Sequence, residues 1–321
     1  MLLRKPLSFL PLAFAVISAN VVAQDCDRDC LNDTLDQYLN AVVASDPSAA
    51  PLAVGIRQTE NAINVAPGRG VWQSVTGLGE VQRRYFDPVS GQAAYYGSIE
   101  EGGASALVTA RIRVENSKIT EAEWYIAREN DPGLSGERQQ GQPPANLLNI
   151  DYLKEYGPPE RTVPASERSD RDTLIRIVDS YFDAITSHDP SVAMVHPGCG
   201  RAENGSPAPG GQFLPQLPSQ AGQEIRDCVQ GLENFNLQMV TARRIPLVDL
   251  EAQAVLAYAV FVRRPGSPTP RNAFSEWFFI DEQKIRTVYT AMFYPKPELA
   301  VPNWPPYEGN WPLPASIVPS P

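Results

Sequence analysis

The sequence predicts an α+β fold in which two similar domains follow one another along the chain. The first observation is an internal repeat: residues 36–61 align without gaps with residues 179–204, and 10 of the 26 paired positions are identical. The second is the order of patterns, because each copy starts with helical periodicity and continues with long β-rich segments. The offset of 143 residues far exceeds the roughly 20 to 50 residues of stacking repeats. Each copy is therefore expected to be a domain.

Each copy is expected to begin with an amphipathic helix that packs on its sheet. Both helices should end at the repeated Asp-Pro-Ser sequence that starts at Asp46 and at Asp189, because proline cannot continue a helix. Apolar residues recur at helical spacing: Leu35, Tyr38, Leu39 and Val42 in the first copy, and Leu174, Val178, Tyr181, Phe182 and Ile185 in the second.

The rest of each copy is expected to form an antiparallel sheet. A first strand passes through Glu60 or Glu203, and a meander of longer strands follows it. Their composition is typical of strands: "AAYYGSIE", "SALVTARIRVEN" and "ITEAEWYIA" in the first copy, and "LQMVTARRIPLVD", "AVLAYAVFVRR", "AFSEWFFID" and "IRTVYTAMFY" in the second.

The N-terminus has the pattern of a secretory signal peptide. Arg4 and Lys5 form a positive start, an apolar run spans residues 7–22, and small residues precede a cut before Gln24. The mature chain is therefore expected to be secreted, into an extracellular or periplasmic space. The expected divisions are a signal peptide at 1–23, a first domain at 24–135, a proline-rich linker at 136–169, a second domain at 170–296 and a proline-rich tail at 297–321.

Four cysteines lie in the mature chain, and export predicts that they form disulfides. Four cysteines allow three connectivities. We favour Cys199 with Cys228, because the segment between them is rich in glycine, proline and serine, and this leaves Cys26 with Cys30. A metal site is disfavoured, since zinc usually has four ligands and the chain has two histidines.

Charge and motifs exclude several function classes. The net charge is −10, and an acidic chain is repelled by phosphate backbones and anionic lipid headgroups. The sequence therefore predicts neither a nucleic-acid partner nor a membrane partner. The patterns G-x-x-x-x-G-K, G-x-S-x-G and H-E-x-x-H do not occur in the chain.

Three short motifs mark the two copies: a helix of the type "DQYLNAVVASDPS", "TEN" or "AEN" in the following strand, and "SKI" or "QKI" between the last strands. In these motifs the chain resembles the nuclear transport factor 2-like superfamily, which includes ketosteroid isomerases, scytalone dehydratases and polyketide cyclases. The resemblance covers residues 26–130 and 170–295. It implies two cone-shaped domains, each with a curved sheet packed on N-terminal helices and a ligand pocket inside. It also implies cofactor-free acid/base chemistry on a small apolar or oxygenated organic molecule, and an intramolecular pseudo-dimer.

Two repeated residues are candidates for this chemistry. Tyr38 and Tyr181 lie on the apolar face of the first helix of each copy and could donate a hydrogen bond to an oxyanion; the alternative is a core tyrosine bonded to a backbone carbonyl. Glu60 and Glu203 occupy matching strand positions, where a desolvated carboxyl suits a general acid or base. The alternative is an outward-facing or arginine-paired glutamate.

The leading single candidate for a general base is His196, because histidine exchanges protons near neutral pH. It is specific to the second copy, aligning with Ala53, and no aspartate partner can be matched to it. Glu203 and Tyr181 are predicted to act with His196. Tyr38, Glu60, Trp277 and Tyr289 are predicted to bind substrate, although most of the aromatic residues are expected in the core or between domains.

Two hypotheses remain open at this point. In the first, the protein is an exported lyase of the dehydratase type or an isomerase, with the second copy catalytic. In the second, it is a binding or assembly module without catalysis. A cone with an open cavity around a buried glutamate favours the enzyme, whereas a cone filled by aromatic side chains favours the module.

Overall fold

A computed structural model describes residues 26–134, 136, 148–207, 228–295 and 304 of the chain. The predicted signal peptide at 1–23, residues 137–147 of the predicted linker, and the predicted tail apart from Trp304 lie outside the described residues. The description therefore centres on the two repeated units and the segment that joins them.

The first unit consists of two helices and a six-stranded sheet. Its strands lie in the order β2-β1-β6-β5-β4-β3. The elements are α1 (Arg28–Val43), β1 (Leu52–Glu60), β2 (Ile63–Asn64), α2 (Val71–Ser74), β3 (Gly77–Asp87), β4 (Gln92–Glu101), β5 (Ala104–Glu115) and β6 (Lys118–Ala127).

The second unit repeats this arrangement after a short connecting helix. Its sheet has the order β8-β7-β12-β11-β10-β9, which is the order of the first unit strand for strand. The elements are α3 (Ile150–Tyr156), α4 (Arg171–Ser187), β7 (Val195–Glu203), β8 (Ser206–Pro207), β9 (Leu237–Asp249), β10 (Ala254–Arg263), β11 (Arg271–Asp281) and β12 (Lys284–Phe293). The chain thus folds as two tandem sheet-rich domains.

The sheets are mixed, so the prediction of purely antiparallel sheets is wrong. Strand β1 pairs in parallel with β6, and β7 pairs in parallel with β12. The meanders β3 to β6 and β9 to β12 are antiparallel, as predicted. The alternation of apolar and polar residues reports which face a side chain occupies and carries no information on the direction of the neighbouring strand.

The repeated Asp-Pro-Ser sequence forms the same turn in both units. Asp46 Oδ1 accepts hydrogen bonds from the Ser48 backbone N–H at 3.0 Å and from the Ser48 hydroxyl at 2.6 Å. Asp189 Oδ1 accepts the matching pair from Ser191 at 2.9 and 2.6 Å. In each case the aspartate is the N-cap of a single 3₁₀ turn that follows the helix. The turn chemistry explains why these three residues recur.

The repeated asparagine ties the first strand of each unit to the last. Asn61 Oδ1 accepts from the Ile126 N–H at 2.8 Å, and its amide nitrogen donates to the Ile126 carbonyl at 3.0 Å. Asn204 Oδ1 accepts from the Met292 N–H, also at 2.8 Å. Both asparagines have positive φ, 47° and 49°, a region that asparagine tolerates better than most residues. The second residue of the repeated Glu-Asn pair is therefore structural.

Each helix shares a buried cluster with the inward face of its own sheet. The α1 residues Leu31, Leu35 and Leu39 lie in one cluster with Trp124 of β6. A second cluster joins α4 to the second sheet, through residues that include Leu174, Ile177, Val178, Phe182 and Ile185 of the helix and Phe261, Phe274 and Phe278 of the strands.

A third buried cluster contains residues of both sheets. Its aromatic rings meet across the boundary between the units, where Tyr85 lies 4.6 Å from Trp277 and Tyr125 lies 4.8 Å from Tyr258 between ring centroids. Leu153 of the connecting helix α3 belongs to the same cluster. The outer face of each sheet is thus covered by the other sheet and by this connection.

Two buried aspartates exchange reciprocal contacts between the units. Asp249 in the second unit accepts both guanidinium nitrogens of Arg28 at 2.9 and 3.0 Å, and the Phe86 N–H at 2.9 Å. Asp87 in the first unit accepts Arg171 at 2.5 Å, and the Val248 N–H at 2.9 Å. Arg28 and Arg171 are the first residues of α1 and α4. The two sets of contacts are thus equivalent, with one aspartate and one arginine from each unit.

The predicted cysteine pairing is confirmed. Cys26 is bonded to Cys30 and Cys199 to Cys228. Cys30 lies in the first turn of α1, and Cys199 lies in β7. Within the part of the chain that the structure describes, no helix has the length and apolar character needed to cross a bilayer.

We expect Asp249→Ala to lower the free energy of unfolding by roughly 3 kcal/mol, because it leaves a paired arginine and several buried N–H groups without an acceptor. Urea denaturation of the purified chain measures this. The control is Asp183→Ala, which removes an ion pair with Arg243 at 2.6 Å whose aspartate is 58% exposed, and which should change stability by less than about 1 kcal/mol. Equal effects of the two variants would contradict the structural role of Asp249.

Candidate functional site

Glu276 lies on the inward face of the second sheet, among aromatic residues. It is on β11 between Phe274 and Phe278, which belong to the α4 cluster. Alternate residues of a strand share a face, so Glu276 points into the same interior. Its side chain is 0% exposed. A carboxyl is rarely buried this completely without a paired partner.

The partner of Glu276 is Arg201 on the neighbouring part of the sheet. Arg201 Nη2 lies 3.3 Å from Glu276 Oε1 and 2.9 Å from Glu203 Oε1, and the Arg201 side chain is 3% exposed. The Thr290 hydroxyl donates to Glu276 Oε1 at 3.1 Å. β12 brings Thr290 opposite both Glu203 and Glu276. Two glutamates thus share one buried arginine.

Tyr181 of α4 contacts the same arginine from the helix side of the interior. Its hydroxyl accepts from Arg201 Nη1 at 3.1 Å and donates to the Cys228 carbonyl at 3.3 Å. Burial raises the pKa of Tyr181 despite the opposing effect of Arg201. Tyr181 therefore remains a neutral hydrogen-bond donor at physiological pH.

Several buried polar atoms of this interior have no hydrogen-bond partner among the described residues. They are Glu276 Oε2, Arg201 Nε and Asn272 Oδ1. Asn272 is 0% exposed and lies four residues before Glu276 on β11, so it faces the same side. Buried polar atoms are satisfied in the great majority of native structures. Glu276 Oε2 and Arg201 Nε belong to two side chains in direct contact, and these two atoms are the polar positions of the pair that a bound molecule would meet.

Burial also changes the pKa of the Glu276 carboxyl. Desolvation raises the pKa of Glu276 to about 7, and this outweighs Arg201 and the Thr290 hydrogen bond, which both lower it. Glu276 therefore exists in both protonation states near neutral pH. This is the property required of a general acid or base.

The matching interior of the first domain holds no carboxyl at the equivalent position. The strand pairings place Ala110 where the second domain has Glu276, and Trp124 where it has Thr290. Gln58 takes the place of Arg201 in the repeat. The Tyr38 hydroxyl accepts from Trp124 Nε1 at 2.9 Å and lies 3.2 Å from Gln58 Oε1, so this predicted substrate residue belongs to a network of core side chains.

Glu60, the first-domain partner of Glu203, makes different contacts. Its carboxylate accepts from Arg128 Nη2 at 3.0 Å and from the Val71 N–H at 3.0 Å, which is at the start of α2. It lines a cleft of about 530 Å³ together with Glu101 and Arg128. The structure places Glu60 at this cleft, whereas the Tyr38 hydroxyl bonds Gln58 and Trp124.

Trp277 and Tyr289, predicted to bind substrate, lie on the opposite face of the second sheet from Glu276. Trp277 Nε1 donates to the Thr109 hydroxyl at 3.2 Å, and the Tyr289 hydroxyl donates to the Tyr156 carbonyl at 2.9 Å. Both belong to the cluster between the sheets. They contribute to the contact between the domains, and the structure does not bring them together with Glu276.

His196 also lies outside the group around Glu276. Its Nε2 is 2.9 Å from the Asp281 carbonyl oxygen, where β11 ends. His196 and Glu203 are seven residues apart on β7, which separates them by on the order of 20 Å at the usual rise of a strand. Of the three residues predicted to be catalytic, the structure brings together Tyr181 and Glu203 and leaves His196 apart.

Neither Glu276 nor Arg201 is among the site residues predicted from the sequence. One signal was present. In "AFSEWFFI", residues 273–280, Glu276 is the one charged residue of a mostly apolar run. A strand covered on both faces buries such a residue whichever way it points. A lone carboxyl in a doubly covered strand is therefore a candidate site residue.

Comparisons with known proteins find one family model and several solved structures. A family model described as a domain of unknown function (DUF8021) matches residues 167–292. No curated protein matches the chain significantly. The matched segment contains Tyr181, Arg201, Glu203 and Glu276.

The solved structures similar to this chain include natural and designed proteins. A nuclear transport factor 2-like protein of unknown function from Burkholderia xenovorans LB400 is 14% identical and covers 31% of this chain and 84% of its own, with a TM-score of 0.27. AusH from Aspergillus nidulans is 15% identical, with 38% and 85% covered and a TM-score of 0.26. A de novo designed protein with a curved β-sheet is 14% identical, with 30% and 85% covered and a TM-score of 0.26.

We expect Glu276→Gln to remove a specific pH dependence of stability. Between about pH 4.5 and 7 the folded chain keeps the Glu276 proton while the unfolded chain has lost it, because the pKa rises from 4.5 to about 7 on folding. The stabilisation from this group is complete below pH 4.5 and is lost as the pH rises through 7, by up to about 3 kcal/mol.

Urea denaturation of wild type and Glu276→Gln at several pH values between 4.5 and 8 tests this. The unfolding free energy of the variant minus that of wild type should increase with pH over this range. Thr290→Val keeps the Glu276 carboxyl and removes a hydroxyl bonded to it. Its unfolding free energy should therefore still fall with rising pH, as that of wild type does. If the unfolding free energies of Glu276→Gln and wild type differ by the same amount at every pH, Glu276 ionises in the folded chain as it does in the unfolded chain.

Proposed function

We propose that the second domain binds a small apolar or oxygenated organic molecule and acts on it as a cofactor-free lyase of the dehydratase type or as an isomerase. The observation that carries the proposal is the buried Glu276 carboxyl. Its Oε2 has no partner among the described residues, and its pKa of about 7 suits proton transfer at physiological pH. A carboxyl kept only to stabilise the fold would be expected to have both oxygens bonded.

Glu276 is the proposed general base and acid. In its ionised form, Oε2 takes a proton from a carbon next to a carbonyl or similar electron-withdrawing group of the ligand. In an isomerase the same proton returns to a different carbon, whereas in a dehydratase it is delivered to a departing hydroxyl, which leaves as water. Both outcomes restore the carboxylate, so the cycle needs no external oxidant or reductant.

Arg201 is proposed to stabilise the negative charge that develops on the ligand oxygen. Tyr181, whose hydroxyl accepts from Arg201 and donates to the Cys228 carbonyl, is proposed to hold Arg201 in place. Arg201 Nε is a buried donor with no partner in the described part of the chain, and a buried cationic donor interacts strongly with an oxyanion. The contact of Arg201 with Glu203 at 2.9 Å makes Glu203 a positioning residue in this scheme. His196 and the tryptophan of the sheet-to-sheet cluster, Trp277, have no role in the centre proposed here.

The first domain is proposed to support the second as the other half of an intramolecular pseudo-dimer. The reciprocal bonds of Asp87 and Asp249 support this arrangement. The predicted division into domains at 24–135 and 170–296, the predicted cone shape and the predicted export all form part of the proposal. Two disulfides fit an oxidising compartment outside the cytoplasm.

A second candidate function is ligand binding without catalysis. It is favoured by the close packing of the aromatic side chains beside Glu276, where the Phe261 and Phe274 ring centroids are 4.2 Å apart and the Phe182 and Phe278 centroids are 5.6 Å apart. A narrow apolar interior with one buried charge pair would select a ligand by shape and hydrogen bonding. In this case Arg201 and Glu276 orient the ligand and transfer no proton.

We expect conversion of a bound ligand to depend on Glu276 and not on His196. A thermal-shift screen of the mature chain against aromatic, polyketide-like, steroid and sugar-derived compounds identifies ligands, and chromatography then follows their conversion. Removing the general base should lower the rate at least about 100-fold in Glu276→Gln, while His196→Ala should keep the wild-type rate. A compound that wild type and Glu276→Gln convert at the same rate would overturn the acid/base assignment. A compound that binds to both proteins and is converted by neither would support the binding module.

A further inference from the structure

Asn272 is a buried amide whose hydrogen bonding is incomplete, in the same interior as Glu276. Its side chain is 0% exposed, and its Oδ1 has no hydrogen-bond partner among the described residues. Its Nδ2 donates to the Met292 sulfur at 3.5 Å, and a thioether sulfur is a weak acceptor. A buried amide without a strong partner destabilises a folded chain. In the absence of a ligand, Asn272 is therefore unfavourable for the stability of the fold.

The scaffold does not require an amide at this place. Asn272 precedes Glu276 by four residues on β11, and Ala106 precedes Ala110 by four residues on β5. Because Ala110 is the equivalent of Glu276 in the strand pairings, Ala106 is the equivalent of Asn272. Ala106 is also buried, with 1% of its surface exposed. One strand position thus holds a methyl group in the first interior and an amide in the second.

The row of paired residues that contains Glu276 also differs between the domains. Glu276 lies between Ala257 on β10 and Thr290 on β12. The residues at the two flanking places in the first domain are Tyr95 and Trp124, which belong to the buried cluster of that domain. An alanine and a threonine therefore stand where the first domain has two large aromatic side chains. This row has less side-chain volume beside the central residue, which favours a ligand at this place.

The Glu276 carboxyl and the Asn272 amide are separated by an apolar stretch of the same face. Four residues of a strand span about 13 Å. Phe274 lies between the two polar residues, and its neighbours across the sheet are Ala259 and Met292. A molecule that contacts both polar groups must therefore be elongated, with an apolar body and a polar group at each end.

We propose that Asn272 determines the specificity of the second domain, by accepting a hydrogen bond from a hydroxyl group at the far end of an elongated ketone. The inference rests on the proposed function, because it describes the ligand of the Glu276 centre. The carbonyl group of this ligand lies at Arg201 and Glu276. Its apolar body packs along Phe274, and its hydroxyl donates to Asn272 Oδ1.

The hydroxyl is recognised because the buried amide oxygen otherwise lacks a donor. A site that bonds a ligand hydroxyl discriminates strongly against an analogue without it, since the polar group of the protein then stays unpaired. A methoxy group occupies the same place and cannot donate. We therefore expect a hydroxyl compound to bind at least about tenfold more tightly than its unsubstituted or methoxy analogue.

Equilibrium dialysis of the mature chain with three biphenyl ketones tests the proposal. 4-Acetyl-4′-hydroxybiphenyl carries its ketone and its hydroxyl at opposite ends of a rigid body, 4-acetylbiphenyl lacks the hydroxyl, and 4-acetyl-4′-methoxybiphenyl cannot donate. Wild type should prefer the hydroxy compound at least about tenfold. Asn272→Leu, which is similar in size and has no polar atom, should lose this preference and keep its affinity for 4-acetylbiphenyl. Equal affinities of wild type for the three compounds, or no binding of the hydroxy compound, would overturn the proposal.

The stability of ligand-free Asn272→Leu gives an independent test. Replacing an amide that has no strong partner by an apolar side chain should leave the urea midpoint of unfolding unchanged or raise it. The matched control is Gln92→Leu, which removes a buried amide whose oxygen accepts from Arg111 at 2.5 Å and should lower the midpoint. If Asn272→Leu lowers the midpoint as much as Gln92→Leu, the Asn272 amide serves the fold and the proposal is overturned.

Glu276→Gln separates this inference from the proposed catalysis. The variant leaves Asn272 unchanged, so it should still prefer the hydroxy compound. If this preference persists in wild type and Glu276→Gln while neither converts the compound, the specificity role of Asn272 is supported and the interior acts in binding alone. If a ligand is converted in a manner that depends on Glu276 but Asn272→Leu still prefers the hydroxy compound, the role of Asn272 is overturned and the acid/base centre is retained.

Discussion

Both faces of each sheet are covered, and the rest of the structure depends on this constraint. A helix covers one face, and the partner sheet covers the other. The reciprocal bonds of Asp87 and Asp249 fasten the second contact, since each aspartate receives an arginine and a backbone N–H from across the boundary. Strands buried on both sides become nearly continuous apolar runs. A charged residue in such a strand must be paired in one interior or the other.

The two domains share one strand order but differ in the side chains that fill the interior between helix and sheet. In the first, Gln58, Ala110 and Trp124 give an interior of core side chains joined by neutral hydrogen bonds. In the second, the equivalent places hold Arg201, Glu276 and Thr290, and Arg201 and Glu276 form a buried ion pair. Buried ion pairs contribute little to stability compared with apolar packing. The second domain alone holds such a pair in this interior, and the proposed function gives the pair a role.

Particular residues show how far the sequence could predict this. The self-alignment predicted the two units and the helices with Tyr38 and Tyr181. The composition of the segment between Cys199 and Cys228 predicted the disulfide pairs. It could not predict that β1 and β7 run parallel to their neighbours, because direction has no local signature. Trp277 and Glu276 are adjacent on β11 and point to opposite faces of the sheet. Because both faces carry apolar residues, the sequence does not show which of the two points toward the helix. The packing of the second sheet against the first determines this orientation, and with it the location of the site.

The ionisation of Glu276 is the most direct test of the functional account. Carbon-13 NMR of the glutamate carboxyls, recorded across pH 3 to 9 for wild type and Glu276→Gln, reports each carboxyl separately. The account predicts one carboxyl with a midpoint near pH 7 that is absent from the variant. If every glutamate of wild type titrates near the ordinary value of about 4.3, Glu276 is not held as a neutral acid in the interior, and the proposed acid/base centre is contradicted.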